Sequence, residues 1–213
     1  MIADKLSDLK KKNMAHKSTF DFFPHSLTDP KWRFIKAYGG FINTALPHCD
    51  SAKIAAFMRA VGGPIFHHVP PAWFTVPKGG VMIMLGRNAM ECLDNADIPK
   101  DILDAQKRGA KLVVLDPLYT TEASKADLWI PIKPSGDPAF LLGMINHIIE
   151  KNIYDKDFVD RWLKDGDFAK LKKYIVDKTP EKMSKICGVS AKIIVDLAEE
   201  CAKAPSVGID SFK

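Results

Sequence analysis

Two uninterrupted runs, Val81-Met82-Ile83-Met84-Leu85 and Lys111-Leu112-Val113-Val114-Leu115, constrain this chain more than any other feature of its sequence. Without polar alternation, such runs must be buried on both faces, the environment of central strands in a parallel sheet. Gly86 stops the first run and Asp116-Pro117 the second. Between them Pro99 starts an amphipathic helix, carrying Ile98, Ile102 and Leu103 and ending at Gly109. Leu128-Trp129-Ile130-Pro131-Ile132 makes a third, shorter strand, and Pro131 restricts it to an edge or a terminal pairing. After Gly136-Asp137-Pro138 a helix runs from Ala139 to about Lys151, with Leu141, Leu142, Ile145, Ile148 and Ile149 apolar. Strand, helix, strand, short loop, strand, helix predicts an α/β fold: a Rossmann-like parallel sheet with right-handed crossovers, flanked by helices.

The remainder of the C-terminal half reads as helical. Asp155 caps Lys156–Leu163, Asp167 starts a second segment, and Thr179-Pro180-Glu181 opens a third that Gly188 ends. Ser190 caps a fourth, and Pro205–Ile209 leads into a further strand. In the N-terminal half, residues 2–12 pattern as a short surface helix. Residues 13–48 read as irregular and aromatic, and Ser51 caps a helix that Gly62-Gly63 ends. The expected division is 1–62, part of a preceding domain with a metal-site loop, and 63–213, a truncated nucleotide-binding domain.

Composition excludes some functions. The net charge of +5 is spread along the chain apart from Lys10-Lys11-Lys12, which reads as the solvated end of a helix. Basic and aromatic residues are not interleaved, which argues against a nucleic-acid partner. The 4 cysteines, at 49, 92, 187 and 201, form no C-x-x-C pair, so neither zinc nor iron–sulfur ligation is readable. No stretch is long and apolar enough to span a bilayer, so no direct membrane span is expected. No signal peptide opens the sequence: the chain as it stands reads as cytoplasmic, and an export signal of a larger parent would lie upstream of Met1.

Ligands of open parallel sheets bind beyond the C-terminal strand ends, and three candidate segments lie there. Gly86-Arg87-Asn88 offers close backbone approach, a guanidinium fork for phosphate and an amide, or is a plain strand-to-loop turn. Asp116, before Pro117, is suited to accept both hydroxyls of a ribose, or starts a turn. Pro134-Ser135-Gly136-Asp137 leads a helix N-terminus that favours an anion or a polar base edge, with Asp137 also serving as a cap. Neither G-x-G-x-x-G nor G-x-x-x-x-G-K-[ST] occurs, so the common dinucleotide and ATP loops are absent.

These segments resemble a known family. Lys111–Pro117, Ala126-Asp127-Leu128-Trp129-Ile130-Pro131-Ile132-Lys133-Pro134-Ser135-Gly136-Asp137 and Gly143-Met144-Ile145-Asn146 are similar to the molybdopterin oxidoreductase family of the dimethyl-sulfoxide-reductase type. The similarity continues through Tyr154–Val159, Thr179-Pro180-Glu181 and Gly188-Val189, and is most specific between Ala110 and Asp160. It implies a catalytic-subunit fragment whose strand ends hold the guanosine and phosphate end of molybdopterin guanine dinucleotide. Gly86 and Asn88 match a family Gly-x-Asn turn, with Arg87 between them. Asp116, followed by Pro117, matches the ribose-side aspartate, and Gly136 and Asp137 the loop that reads guanine. Asn43–Lys53 resembles the segment where many members place a ligand on molybdenum (or tungsten), which makes Cys49 a candidate thiolate ligand and His48 an adjacent proton carrier. Cys49 reads equally as a buried inert thiol and His48 as a loop residue bonded to backbone. The spacing from Asn43 is shorter than the resemblance leads one to expect.

Leu118 stands where members often carry an arginine. The family's iron–sulfur segment and its barrel-like C-terminal domain have no counterpart here, so any iron–sulfur cluster belongs to missing parts. The implied partners are a small-molecule substrate and an iron–sulfur electron-transfer subunit or the missing domains. Exposed apolar surface and weak independent stability are expected of such a piece. Two functions remain open: oxygen-atom or electron transfer at the metal (or a non-redox hydratase or hydroxyltransferase variant), and a non-catalytic nucleotide-binding remnant or split subunit.

Overall fold

The computed structural model describes residues 1–21, 30–43, 56, 59, 75–91, 97–164 and 166–210. They fall into two compact units, 1–68 and 69–213.

In the first unit, helix α1 (Ile2–Lys11) carries the 2–12 pattern. Among its described residues the stretch expected to be irregular contains a 3₁₀ turn (Ala15–Lys17), strand β1 (Thr19–Asp21), helix α2 (Pro30–Tyr38) and strand β2 (Phe41–Asn43), with β1 and β2 parallel. Proline is tolerated in the first helical turn, so Pro30 opens α2, and among its described side chains Ile35 and Tyr38, at i,i+3 spacing, are buried. Phe20, Phe34 and Tyr38 pack ring to ring, and the Tyr38 hydroxyl donates to the Leu6 carbonyl at 2.8 Å. A side chain at Gly40 would collide with Phe20, so the turn into β2 needs glycine. The helix expected after Ser51 is described only at Ala56 and Arg59, both helical; Ser51 lies outside the described residues.

The second unit is built on a parallel sheet. Strands β3 (Val81–Leu85), β4 (Lys111–Leu115), β5 (Leu128–Ile130) and β6 (Val207–Asp210) lie in the order β5-β4-β3-β6. All three pairings are parallel. The chain steps outward from β3 to β4 and β5, then returns to place β6 on the other side of β3. That return is the topological switch point of an open α/β sheet. The five residues of β3 are all buried, as the apolar run requires.

Alternate residues of the two central strands feed two cores. Val81, Ile83, Leu85, Val113 and Leu115 face helices α4 (Asp137–Glu150), α7 (Pro180–Cys187) and α8 (Ala191–Lys203). Met82, Met84, Leu112 and Val114 face helix α3 (Asp97–Lys107) through Ile98, Ile102 and Ala105. Helix α3 begins two residues before Pro99, which sits inside its first turn, where its missing N–H leaves no helical bond unmade. β5 is an edge strand and stops before Pro131. Helices α5 (Lys156–Trp162), α7 and α8 start at the expected caps Asp155, Thr179 and Ser190, each accepting a backbone N–H. Helix α6 (Asp167–Ile175) follows Gly166. Gly188 ends α7 in the left-handed conformation with φ +77°. Gly143 lets α4 approach its neighbours closely: a Cβ there would lie 3.1 Å from Ile194 and 3.2 Å from Met183.

Phe140 is completely buried between the sheet and these helices. Phe140→Ala is expected to destabilise the second unit by about 3–5 kcal/mol, seen as a lowered urea midpoint with an unchanged slope.

Candidate functional site

Because every strand of the larger sheet is parallel, all C-terminal ends lie along one edge. The first polar residue after each apolar run therefore arrives at the same place. Gly86, Arg87 and Asn88 follow β3, Asp116 follows β4, and Asp210 closes β6 in register with Met84.

Gly86 takes φ +56°, a left-handed conformation that glycine adopts without strain, and its N–H donates to the Leu115 carbonyl at 2.9 Å. This turns the chain across the strand ends. Arg87 Nε lies 3.0 Å from Asp210 Oδ2, and both side chains are largely buried. The ion pair therefore bridges the switch point between β3 and β6. The Asn88 amide donates to Glu91 at 2.6 Å, while its Oδ1 is buried with no hydrogen-bond partner among the described residues. Glu91 also accepts from the Thr121 hydroxyl. Those two hydrogen bonds, Thr121 first and Asn88 second, hold the Glu91 carboxyl below its ordinary range.

Asp116 is buried at the end of β4. Its Oδ1 accepts from the Leu118 N–H at 2.8 Å, the turn-starting geometry of an aspartate before proline. Its carbonyl accepts from the Trp129 indole at 3.0 Å. Pro117 and Leu118 are exposed.

The loop after β5 is fixed from below. Lys133 N–H donates to the Cys187 carbonyl at the end of α7, and Gly136 N–H to the Lys133 carbonyl. A Cβ on Gly136 would lie 2.8 Å from the Lys133 carbonyl oxygen and 2.9 Å from Cys187 Cα, so only glycine fits. Asp137 was expected to cap α4. Instead Gly136 is the N-cap, and Asp137 and Pro138 form the first turn, because proline suits that turn and pulls the helix start upstream. A carboxylate in the first turn interacts favourably with the helix dipole.

Two residues that the sequence did not single out join the site. Asp210 is one. Glu122, completely buried, is the other; its Oε2 accepts from the Ala89 N–H at 3.0 Å and its Oε1 has no hydrogen-bond partner among the described residues. Burial pushes the Glu122 carboxyl up to about 7, against the Ala89 hydrogen bond and the Arg87 charge, with Asp210 and Asp116 adding to the rise. The available signal was a lone carboxylate among small residues in Thr120-Thr121-Glu122-Ala123.

Cys49 and His48 lie outside the described residues, as does Cys92. Cys187 and Cys201 are packing thiols: the first is buried at the end of α7, and burial pushes the second, in α8, up to about 11. Among the described residues no group of three or more His, Cys, Asp or Glu side chains is arranged to hold a metal ion, and no helix is long and apolar enough to cross a membrane.

A family model described as molybdopterin oxidoreductase matches residues 1–203. The chain belongs to the molybdopterin oxidoreductase family. It is 29% identical over 202 residues to the thiosulfate reductase molybdopterin-containing subunit PhsA of Salmonella typhimurium, covering 94% of this chain and 25% of that protein. Dimethyl sulfoxide reductase DmsA of Escherichia coli is 37% identical over 188 residues, which cover 79% of this chain and 23% of DmsA. The solved structure of acetylene hydratase from Pelobacter acetylenicus matches with TM-score 0.69 and 28% identity, over 99% of this chain and 28% of that one. The chain thus spans about a quarter of the length of these relatives. Membership of the molybdopterin oxidoreductases implies molybdopterin with molybdenum or tungsten.

Glu122 gives the site a pH signature. Its carboxyl holds a proton more tightly when folded, so the associated stability is intact below about pH 4.5 and lost as pH rises through about 7. Glu122→Gln, neutral at every pH, is expected to match wild type in acid and gain in Tm relative to it as pH rises through that window. Parallel thermal melts across the window check this.

Proposed function

We propose that this chain is part of a molybdopterin oxidoreductase catalytic subunit and binds the guanosine and phosphate end of molybdopterin guanine dinucleotide at the strand-end site. The supporting observation is the buried polar edge itself. Among the described residues Asn88 Oδ1 and Glu122 Oε1 are buried without hydrogen-bond partners, and the buried Asp116 carboxyl lies beside them with Oδ1 held by the Leu118 N–H. A nucleotide, rich in donors and acceptors, suits such groups.

In this reading Asp116 accepts the ribose hydroxyls, with Pro117 fixing the turn behind it. Gly86 lets the phosphates approach the backbone, and Asn88 contributes its amide. Gly136 and Asp137 face the guanine edge, where a carboxylate accepts from the base's N–H groups. Arg87 balances charge while paired to Asp210. Leu118 contributes only its backbone N–H, which orients Asp116. Cys49 is the proposed thiolate ligand of the metal, and His48 the proton carrier beside it.

When bound, the cofactor supplies oxygen-atom or electron transfer at molybdenum or tungsten; the protein supplies orientation and electrostatics. A small-molecule substrate and an iron–sulfur electron-transfer subunit are the proposed partners of the whole enzyme. PhsA is itself described as a subunit.

Purification from a host that makes the cofactor, followed by mass spectrometry for guanosine pterin and metal, tests the reading. Stoichiometric pterin in wild type, lost in Asp116→Ala with the fold retained, is the expected result. A folded wild-type protein without pterin would leave the second reading, a binding remnant without activity of its own.

A further inference from the structure

Glu122 is assigned no ligand contact in the scheme above, although its Oε1 belongs to the buried polar edge that supports it, and among the described residues it is the most deeply buried ionisable group at the strand ends. It is the N-cap of the 3₁₀ turn Ala123–Lys125, and its side chain accepts from the Ala89 N–H, 33 residues away in sequence. With the Glu91–Thr121 contact, this bond fastens the loop after β3 to the loop after β4. Asn88 lies between Arg87 and the anchored Ala89, so its placement depends on that fastening.

The charges around Glu122 come from three elements. Arg87 follows β3, Asp116 follows β4 and Asp210 lies in β6. Glu122 thus feels one cation and two carboxylates, and that cation is ion-paired with Asp210. An ionised Glu122 would be a further buried negative charge with one oxygen unpartnered, an expensive arrangement. A protonated Glu122 keeps the Ala89 bond through Oε2 and converts Oε1 from acceptor to donor.

From this geometry we infer that Glu122 is a positioning residue for the strand-end site, holding the Gly86–Glu91 turn through Ala89 while its carboxyl proton links nucleotide-diphosphate binding to pH. The inference rests on the nucleotide reading given above. A bound diphosphate adds negative charge beside Asp116 and Asp210, so the ligand favours the protonated form. Binding then takes up a proton near neutral pH, and affinity is highest in acid and falls as pH rises past the titration of the free protein.

The test uses the full chain and GDP-mannose, whose diphosphate diester does not itself titrate near neutrality. Calorimetry between about pH 6 and about pH 8 should show Kd rising about threefold, with proton uptake revealed by buffers of different ionisation enthalpy. Glu122→Gln, which preserves an acceptor for Ala89, should bind with a flat pH profile and no uptake. If that variant does not fold, infrared spectroscopy of wild type decides: ligand addition near neutral pH should strengthen the band of a protonated carboxyl group. Binding without proton uptake, a pH slope that survives in Glu122→Gln, or an unchanged carboxyl band would overturn the role of Glu122 and leave the nucleotide site standing. No binding of GDP-mannose at any pH would overturn the nucleotide site, and this inference with it.

Discussion

The double-sided burial of β3 and β4 is the constraint on which the second unit depends. Both strands send apolar side chains into cores on opposite faces of the sheet. Each face must therefore be covered, by α3 on one side and by α4, α7 and α8 on the other. Helix α3 carries the chain back across the sheet between β3 and β4 and so makes that central pair parallel, and β5 and β6 add to it in the same direction. Parallel strands deliver their C-terminal ends to one edge. The polar residues that stop each apolar run then gather there whatever their sequence separation.

That edge is more restrained than a row of loops. Arg87–Asp210 closes the gap between β3 and β6, Ala89–Glu122 and Glu91–Thr121 join the loops after β3 and β4, and Asp116 is held by its own turn. Most of these contacts bury charge or strong acceptors, which costs free energy unless partners are found. Among the described residues the buried acceptors Asn88 Oδ1 and Glu122 Oε1 remain unmatched. Sites of function are where a fold departs from full internal satisfaction.

The central strands were legible because apolar runs of five residues in β3 and four in β4, too short for a helix and stopped by Gly86 and by Asp116-Pro117, suit buried strands. The caps Asp155, Thr179 and Ser190 were legible because N-capping is a local event, set within about four residues. Helix α2 was not: its buried positions, Ile35 and Tyr38, are diluted by aromatic residues that also suit a packed loop. Asp137 suits a cap from sequence alone because Pro138 admits two helix starts one residue apart, and the helix takes the earlier one. Glu122 and Asp210 were not singled out for a different reason. Their partners, Ala89 and Arg87, lie far away in sequence and meet them only once the sheet has formed. Gly86, Asn88 and Asp116 could be placed from strand ends alone, since position rather than partner defines them.

The most direct measurement of the central claim is hydrogen–deuterium exchange of the chain with and without GDP-mannose. Nucleotide binding at the strand ends predicts slowed exchange confined to residues 86–91, 116–122 and 133–137. Slowed exchange elsewhere, with those three segments unchanged under saturating ligand, would contradict it.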